Sequence, residues 1–174
     1  MNKEALAHLD SFTGTAGYYR THPNLVITDG VKHLCENADC FWITDILSSY
    51  QNLCRQQESL RDMQFWTLRP YPQRNAHVVG TIGHMLNALG KIPAPKPEIK
   101  TEGGILCYSR LNSEGGTPMA YIVCERDSDD AAIVQDIPFT DFPFDTLPEI
   151  KIWVQPTLMP NGKLVMVAYL PSEH

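Results

Sequence analysis

The sequence predicts an α+β protein in which N-terminal helices pack on a mainly antiparallel β-sheet. Helical periodicity dominates the first third of the chain, and strand-like segments separated by Gly, Pro, Asp and Asn turns fill the last third. Helices lead and strands follow without regular alternation, which disfavours a parallel sheet built from βαβ units. With 174 residues, of which 43% are hydrophobic, the chain is long enough for one core, so we expect a single domain over residues 1–174.

Two adjoining helices are predicted near the N-terminus. A short helical start at residues 4–9 precedes a Gly- and aromatic-rich segment at residues 11–20, where two glycines oppose a regular helix. Thr28 is the expected N-cap of the first long helix, because an acid and then apolar residues at helical spacing follow it. Asp39 is expected to cap a second helix, whose apolar face carries Trp42, Ile43, Ile46, Leu47 and Tyr50.

The strands follow. Residues 63–69 alternate partly and include aromatic side chains, so they predict the first strand. Residues 76–90 carry one helical stripe, and residues 91–100 form a proline-rich extended connector. Asn161 and Gly162 predict a hairpin turn, because both residue types tolerate positive φ. Five further strands are predicted, at residues 105–111, 120–125, 131–137, 150–155 and 164–170.

Charge and hydropathy exclude some classes of partner. The chain has 14 basic and 20 acidic residues, a net charge of −6, which disfavours nucleic acid and anionic membrane surfaces. The longest apolar run, residues 164–170, is far shorter than the roughly 20 residues that a membrane span needs. The first residues lack an apolar signal core. We therefore expect a cytoplasmic protein.

The motifs of common enzymes and metal sites are absent from the sequence. The five cysteines form an odd set in apolar contexts, which favours buried free thiols. Cys35 and Cys40 lie near His33, but no second ligand pair follows, so we expect no metal. Dinucleotide, phosphate-loop, serine-hydrolase and metalloprotease motifs are missing, and we expect no cofactor. A nucleophilic pair of Cys35 with a distant histidine stays open.

One group of N-terminal residues combines polar and aromatic side chains in a pattern that needs explanation. Asp45 lies within an otherwise apolar helix, so its carboxylate must reach solvent or find a donor such as Arg20 or a tyrosine hydroxyl. The favoured interpretation is an internal clamp that ties the Gly-rich segment to the helices, and the alternative is a ligand site. The candidate residues are Tyr18, Tyr19, Arg20, Asp29, His33, Trp42 and Asp45.

A second candidate region is the acidic turn at residues 125–130, which collects much of the negative charge of the second half. A solvated turn is the simpler interpretation. The alternative is an interaction surface formed by Asp127, Asp129 and Asp130.

Several short motifs together resemble a family of small bacterial and phage proteins of unknown function. They are FTGT at 12–15, YYR at 18–20, TDGVKHL at 28–34, FWITD at 41–45, FWTL at 65–68, TDFP at 140–143 and LPSEH at 170–174. The resemblance covers residues 9–70 and about 119–174, and residues 71–118 are interpreted as an insertion. It implies one α+β domain in a bacterial or mobile-element protein, and it carries no activity, cofactor or catalytic residue.

Two functional hypotheses follow. The first is a non-enzymatic accessory protein from a bacterium, phage or plasmid that binds another protein through an aromatic or acidic surface. The second is a small enzyme or ligand-binding domain with a pocket between the Gly-rich segment and the first two long helices. The edge strands of the sheet also offer a route to a homodimer.

Overall fold

A computed structural model of the protein describes residues 2–71, 99–109, 118–127 and 129–174. The helix predicted at residues 76–90 and most of the connector predicted at residues 91–100 lie outside these ranges.

The helices gather near the N-terminus, as the periodicity predicts. They are α1 (Lys3–Leu6), a first 3₁₀ helix (Leu9–Ser11), α2 (Asp29–Ala38), α3 (Trp42–Gln56) and α4 (Glu58–Arg61). A second 3₁₀ helix, Pro171–Glu173, lies at the C-terminus.

The boundary between α2 and α3 corrects the expected role of Asp39. This residue ends α2 in the left-handed conformation, with φ of +54°, and its backbone N–H donates to the carbonyl of Cys35. Aspartate is one of the few residue types that adopt this conformation readily, which explains why it can end a helix as well as begin one. Helix α3 begins at Trp42 without a side-chain cap, so the prediction that Asp39 caps it is wrong.

Eight strands of the described residues form one sheet in the order β1-β2-β8-β7-β3-β5-β6-β4. Neighbouring strands are antiparallel except for the parallel pairs β2–β8 and β4–β6, which confirms the mainly antiparallel α+β fold. The strands are β1 (Tyr19–His22), β2 (Leu25–Ile27), β3 (Gln64–Pro70), β4 (Cys107–Ser109), β5 (Ala120–Glu125), β6 (Ala131–Ile137), β7 (Ile150–Leu158) and β8 (Leu164–Tyr169). The hairpin β1–β2 lies where the sequence predicted no regular element.

The main core lies between the helices and one face of the sheet. Removal of large apolar side chains from water drives this packing, and the fully buried side chains include Leu6, Leu34, Ile43, Leu47, Trp66, Leu68, Ile122 and Ile152. The other face carries two smaller apolar clusters. One contains Tyr71, Tyr121, Val123, Ala131 and Val134, and the other contains Val26, Val165, Val167 and Tyr169.

A buried polar network joins α3 to the sheet inside this core. The side-chain amides of Gln51 and Gln64 exchange two hydrogen bonds of 3.0 and 3.1 Å. The indole N–H of Trp66 donates to Gln64 Oε1 at 3.0 Å, and the Gln51 amide also donates to the carbonyl of Leu47. Because each buried amide finds partners, the polar groups cost little on burial and fix the position of α3 on β3.

The turn between β7 and β8 confirms the predicted hairpin and changes one detail. Gly162 has φ of +75°, and its N–H donates to the carbonyl of Met159 at 2.8 Å. Asn161 does not take positive φ; its side-chain Oδ1 instead accepts from the N–H of Lys163 at 3.0 Å. Only the glycine therefore meets the left-handed requirement of this turn.

Candidate functional site

The carboxylate of Asp29, the first residue of α2, is the centre of the N-terminal polar cluster. Its Oδ2 accepts hydrogen bonds from the backbone N–H groups of Ala16 at 2.7 Å and Gly17 at 2.9 Å. Its Oδ1 accepts from the hydroxyl of Tyr19 at 2.8 Å, and Thr15 Oγ1 lies 3.0 Å from Oδ2. Both carboxylate oxygens are thus used to hold residues 15–19 against the start of the helix.

These donors change the acidity of both partners. The hydrogen bond from Tyr19, followed by those from the amides of Gly17 and Ala16, lowers the pKa of Asp29 to about 2. The same hydrogen bond to the carboxylate raises the pKa of the Tyr19 phenol. The ammonium of Lys32 lies 4.1 Å from the centre of the Tyr19 ring, so a cation–π contact also supports the tyrosine. Asp29 is therefore ionised at neutral pH.

A second carboxylate, that of Glu173 in the C-terminal 3₁₀ helix, also lies at the start of α2. Its Oε1 accepts from the backbone N–H of Gly30 at 3.0 Å, and its Oε2 accepts from the hydroxyl of Thr28 at 2.6 Å and from the N–H of Leu170 at 2.9 Å. Thr28 occupies the predicted N-cap position, but its hydroxyl makes no capping bond. Glu173 takes over that role from a distant part of the chain.

Two carboxylates at the N-terminus of one helix make this place unsuitable for an anion. They compensate the positive end of the helix dipole and accept the hydrogen bonds that a bound phosphate would otherwise receive. Sequence reasoning did not single out Glu173 as a site residue. The available signal was its place in the LPSEH motif, since the motifs FTGT, TDGVKHL and LPSEH all contribute residues to this cluster.

The other predicted cluster residues lie apart from Asp29. His33 Nε2 lies 3.1 Å from the carbonyl oxygen of Ala5, and its ring packs against that of Phe12. Trp42 is half-buried and packs against the main core. Of the seven candidates, the structure brings Tyr19 and Asp29 into direct contact.

Asp45 finds a donor that the sequence did not indicate. Its Oδ1 lies 2.9 Å from Nε2 of His22, and Nδ1 of the same ring lies 3.2 Å from Thr21 Oγ1. Such a hydroxyl–imidazole–carboxylate row supports catalysis only beside a substrate cleft with oxyanion donors. The Asp45 side chain is 71% exposed, so the row is a screened surface pair.

Three side chains at the sheet edge are exposed, and one of them, Tyr19, also contacts Asp29 and Lys32. We call Tyr18, Tyr19 and Arg20 the β1 surface. Tyr18 and Tyr19 are 48% and 37% exposed. In the antiparallel pairing Tyr19 stands opposite Ile27 and Arg20 opposite Val26, which places the two side chains on opposite faces of the sheet. The Arg20 side chain is exposed and makes no hydrogen bond or ion pair with the residues that the structure describes.

The acidic turn separates into structural and exposed carboxylates. Asp130 Oδ1 accepts from the N–H groups of Glu102 at 2.8 Å and Gly103 at 3.0 Å, and from Arg126 Nη1 at 3.0 Å. These bonds, first that of Gly103, lower the pKa of Asp130. Asp127 and Asp129 are exposed, and Lys100 Nζ lies 3.8 Å from Asp129. Asp130 thus holds a loop, as Asp29 does, and the other two carboxylates face solvent.

Two of the cavities that described residues line bear on the second hypothesis. The larger is a groove of about 440 Å³ between α1, the first 3₁₀ helix, residues 146–151 and residues 170–172. The smaller, of about 70 Å³, lies on the opposite sheet face and contains Glu125, whose pKa is raised by burial. Neither lies between the Gly-rich segment and the first two long helices, where the second hypothesis puts a pocket.

Within the described ranges no three His, Cys, Asp or Glu side chains are placed to hold a metal ion. Cys35, Cys40, Cys54 and Cys124 are buried and free, and burial raises the pKa of Cys124. Cys35 is among them, and a thiol buried away from solvent is poorly accessible to a substrate, which weighs against the Cys35–histidine alternative. No helix of the described part of the chain has the length and apolar character to span a bilayer.

Residues 3–91 and 94–174 match the model of one family, described as a family of unknown function (DUF6876). The chain belongs to this family. The resemblance seen in the motifs is therefore confirmed, and in this DUF6876 protein three of those motifs meet at the start of α2. Both matched stretches extend into residues 71–118, whose interpretation as an insertion stays a prediction. No curated protein and no solved structure matches the chain.

Proposed function

We propose that the protein is a non-enzymatic interaction protein that binds another protein through the β1 surface. One observation carries this proposal: the fully engaged carboxylate of Asp29 fixes residues 15–19, so that Tyr18, Tyr19 and Arg20 are presented in a defined geometry. Binding to a surface that is already ordered avoids the entropic cost of fixing a loop.

The residue types of the β1 surface support the same function. Tyrosine and arginine are enriched among the residues that contribute most to protein–protein binding. A tyrosine gives a large contact area with only two side-chain torsions to fix, so little entropy is lost when it is covered. An exposed arginine offers five N–H donors to carboxylates of a partner. The β1 surface therefore suits a partner that presents acidic side chains.

The geometry of the outer strands favours a partner that binds the side chains of the β1 surface, and it disfavours a partner that adds a β-strand to the sheet. β1 and β4 are the outer strands of the described sheet, with four and three residues. The pairing of β1 also shifts register between Arg20 and His22. Short and irregular edges resist pairing with another strand. A homodimer through a sheet edge stays a prediction, which light scattering over a range of concentrations tests.

The alternative of a small enzyme or ligand-binding domain lacks a supporting observation. Its pocket requires the carboxylates beside the Gly-rich segment to face a ligand, whereas Asp29 is used by the protein's own donors. Free cysteines and a net charge of −6 support action in the cytoplasm, and the proposal includes an origin in a bacterium, phage or plasmid.

A site-specific photo-crosslinker tests the proposal. Benzoylphenylalanine replaces Tyr18 in one variant and Phe139, which is 73% exposed and lies after β6, in a matched control. Both variants are irradiated in the cells that naturally produce the protein. We expect one discrete adduct from position 18 and none of that mass from position 139.

Competition then separates specific binding from chance contact. An excess of wild-type protein should abolish the adduct, and an Arg20→Glu protein should compete at least about ten-fold less well. Equal adducts at both positions, no adduct at position 18, or full competition by Arg20→Glu would each refute the proposed function.

A further inference from the structure

The turn between β7 and β8 carries the one asparagine of the sequence that is followed by glycine, Asn161 before Gly162. Residues 160–164 are all exposed, so water and base reach this pair freely. An asparagine side-chain amide can be attacked by the backbone nitrogen of the next residue, because the attack closes a five-membered ring. Gly162 has no side chain to obstruct that approach, and the space beside its Cα is open.

The side chain of Asn161 is oriented for such an attack. Its Oδ1 accepts a hydrogen bond from the backbone N–H of Lys163 at 3.0 Å. To make this bond the side chain must fold back along Gly162, which brings its Cγ toward the Gly162 nitrogen. The Lys163 N–H also polarises the side-chain carbonyl and stabilises the negative charge that develops on Oδ1 during an attack on Cγ. One hydrogen bond thus supplies both orientation and activation.

A second hydrogen bond opposes the attack. The Gly162 N–H donates to the carbonyl of Met159 at 2.8 Å, and the nitrogen must give up this proton to become a nucleophile. Because the turn is exposed, water can replace Met159 as the partner when the turn opens. Pairing of β7 with β8 continues up to Leu158 and Leu164, so this opening can stay confined to the turn.

We propose that Asn161 is a site of spontaneous modification, at which the folded protein loses ammonia and gains a carboxylate. The Gly162 nitrogen forms a bond to Asn161 Cγ, the C–N bond of the side-chain amide breaks, and ammonia leaves with the proton that Gly162 gives up. The resulting succinimide adds one water at either of its two carbonyl groups, which gives aspartate or isoaspartate. The overall change is a hydrolysis, with water as the co-reactant.

The modification changes the charge and the shape of the hairpin tip. It adds one negative charge to a chain with a net charge of −6. The isoaspartate form also lengthens the backbone of the turn, next to Leu158 and Leu164, which stand opposite each other and are 69% and 62% exposed. The inference does not depend on the β1 surface, and a failure of either proposal leaves the other intact.

Incubation of the folded, full-length protein at mildly alkaline pH, followed by peptide mass spectrometry, tests this inference. Asn52 is the control within the same chain, because it is exposed, lies inside α3 and is followed by Leu53. Asn161 should lose ammonia at least about ten-fold faster than Asn52, a difference of about 1.4 kcal/mol in activation free energy. The rate should rise with pH, since the attacking nitrogen must lose its proton. Electron-transfer fragmentation should detect isoaspartate beside aspartate at position 161.

A variant with a longer side chain separates ring closure from direct hydrolysis. Asn161→Gln keeps an exposed amide but must close a six-membered ring, so it should react at least about ten-fold more slowly than Asn161. The inference is overturned if Asn161 stays intact for as long as Asn52, if Asn161→Gln reacts equally fast, or if aspartate forms without isoaspartate. It is also overturned if the reaction occurs only in urea-unfolded protein, because the folded turn would then protect the amide.

Discussion

Replacement of Glu173 by alanine should destabilise the protein markedly, although the residue lies next to the last residue of the chain. The carboxylate accepts from two backbone amides, those of Gly30 and Leu170, and from the buried hydroxyl of Thr28. A hydrogen bond to a charged group contributes about 1.5–3 kcal/mol, and loss of a helix N-cap costs about 1 kcal/mol. Since water can reach part of the site, we expect Glu173→Ala to lower the free energy of unfolding by about 2–4 kcal/mol.

Urea denaturation of the full-length protein measures this loss. The free energy of unfolding should depend on urea concentration with the same slope as in the wild type, which would show that the two-state transition is preserved. Glu173→Gln keeps one acceptor oxygen and should lose about half as much. Glu36→Ala removes only an exposed pair with Lys32 and should change the free energy of unfolding by less than about 0.5 kcal/mol. If Glu173→Ala lowers the free energy of unfolding no more than Glu36→Ala does, the Glu173 carboxylate does not hold the start of α2.

Three further substitutions test other contacts. Gly30→Ala should lower the free energy of unfolding by about 1–3 kcal/mol in urea denaturation, because the new methyl group would lie 2.7 Å from Glu173 Oε2 and 2.9 Å from a Leu170 methyl carbon. Gln51→Leu should cost about 1–3 kcal/mol in the same assay, since it leaves the buried amide of Gln64 without its partner. Asp130→Ala should lower the melting temperature measured by circular dichroism, because two backbone amides lose their acceptor.

Matched controls separate these effects from the general cost of substitution. Gly14→Ala places its methyl group in open space and should be nearly neutral. Asp129→Asn removes the charge of an exposed carboxylate in the same turn, tolerates the φ of +65° at this position and should leave the melting temperature within experimental error. Equal effects of Asp130→Ala and Asp129→Asn would contradict the structural role of Asp130.

Hydrophobic periodicity was sufficient to predict the fold class, but it did not predict the shortest strands. Helices α2 and α3 bury one stripe each, so their spacing is visible in the sequence. Strands β1 and β2, with four and three residues, are too short to show alternation. The β1–β2 hairpin joins the rest of the sheet through the pairing of β2 with β8, which lies more than a hundred residues further along the chain.

The contacts of the candidate site were harder to predict from the sequence, because many of them involve backbone groups or distant residues. The sequence singled out Asp29 as a candidate site residue. Its main partners include the backbone amides of Ala16 and Gly17, and backbone groups cannot be recognised from the residue types in a sequence. Asp45 was correctly expected to need a donor or solvent, yet the donor is His22 and not Arg20. Glu173 reaches α2 from 143 residues away in sequence, a contact that local patterns cannot indicate.

The pH dependence of Asp29 follows from the direction of its pKa change. The pKa falls from the ordinary value of 3.8 to about 2, so the folded state favours the ionised form. The stabilisation is complete above the unfolded value and is lost as the pH falls through about 2. Asp29→Asn should therefore be less stable than the wild type at neutral pH, and the difference should disappear near pH 2.

The most direct measurement is an NMR titration of the Asp29 carboxyl carbon in the folded protein. The proposed clamp on residues 15–19 requires a carboxylate held by the Tyr19 hydroxyl and by the backbone amides of Ala16 and Gly17. We expect a titration midpoint of about 2. A midpoint near 3.8 would mean that these donors do not hold the carboxylate, and the clamp would be refuted.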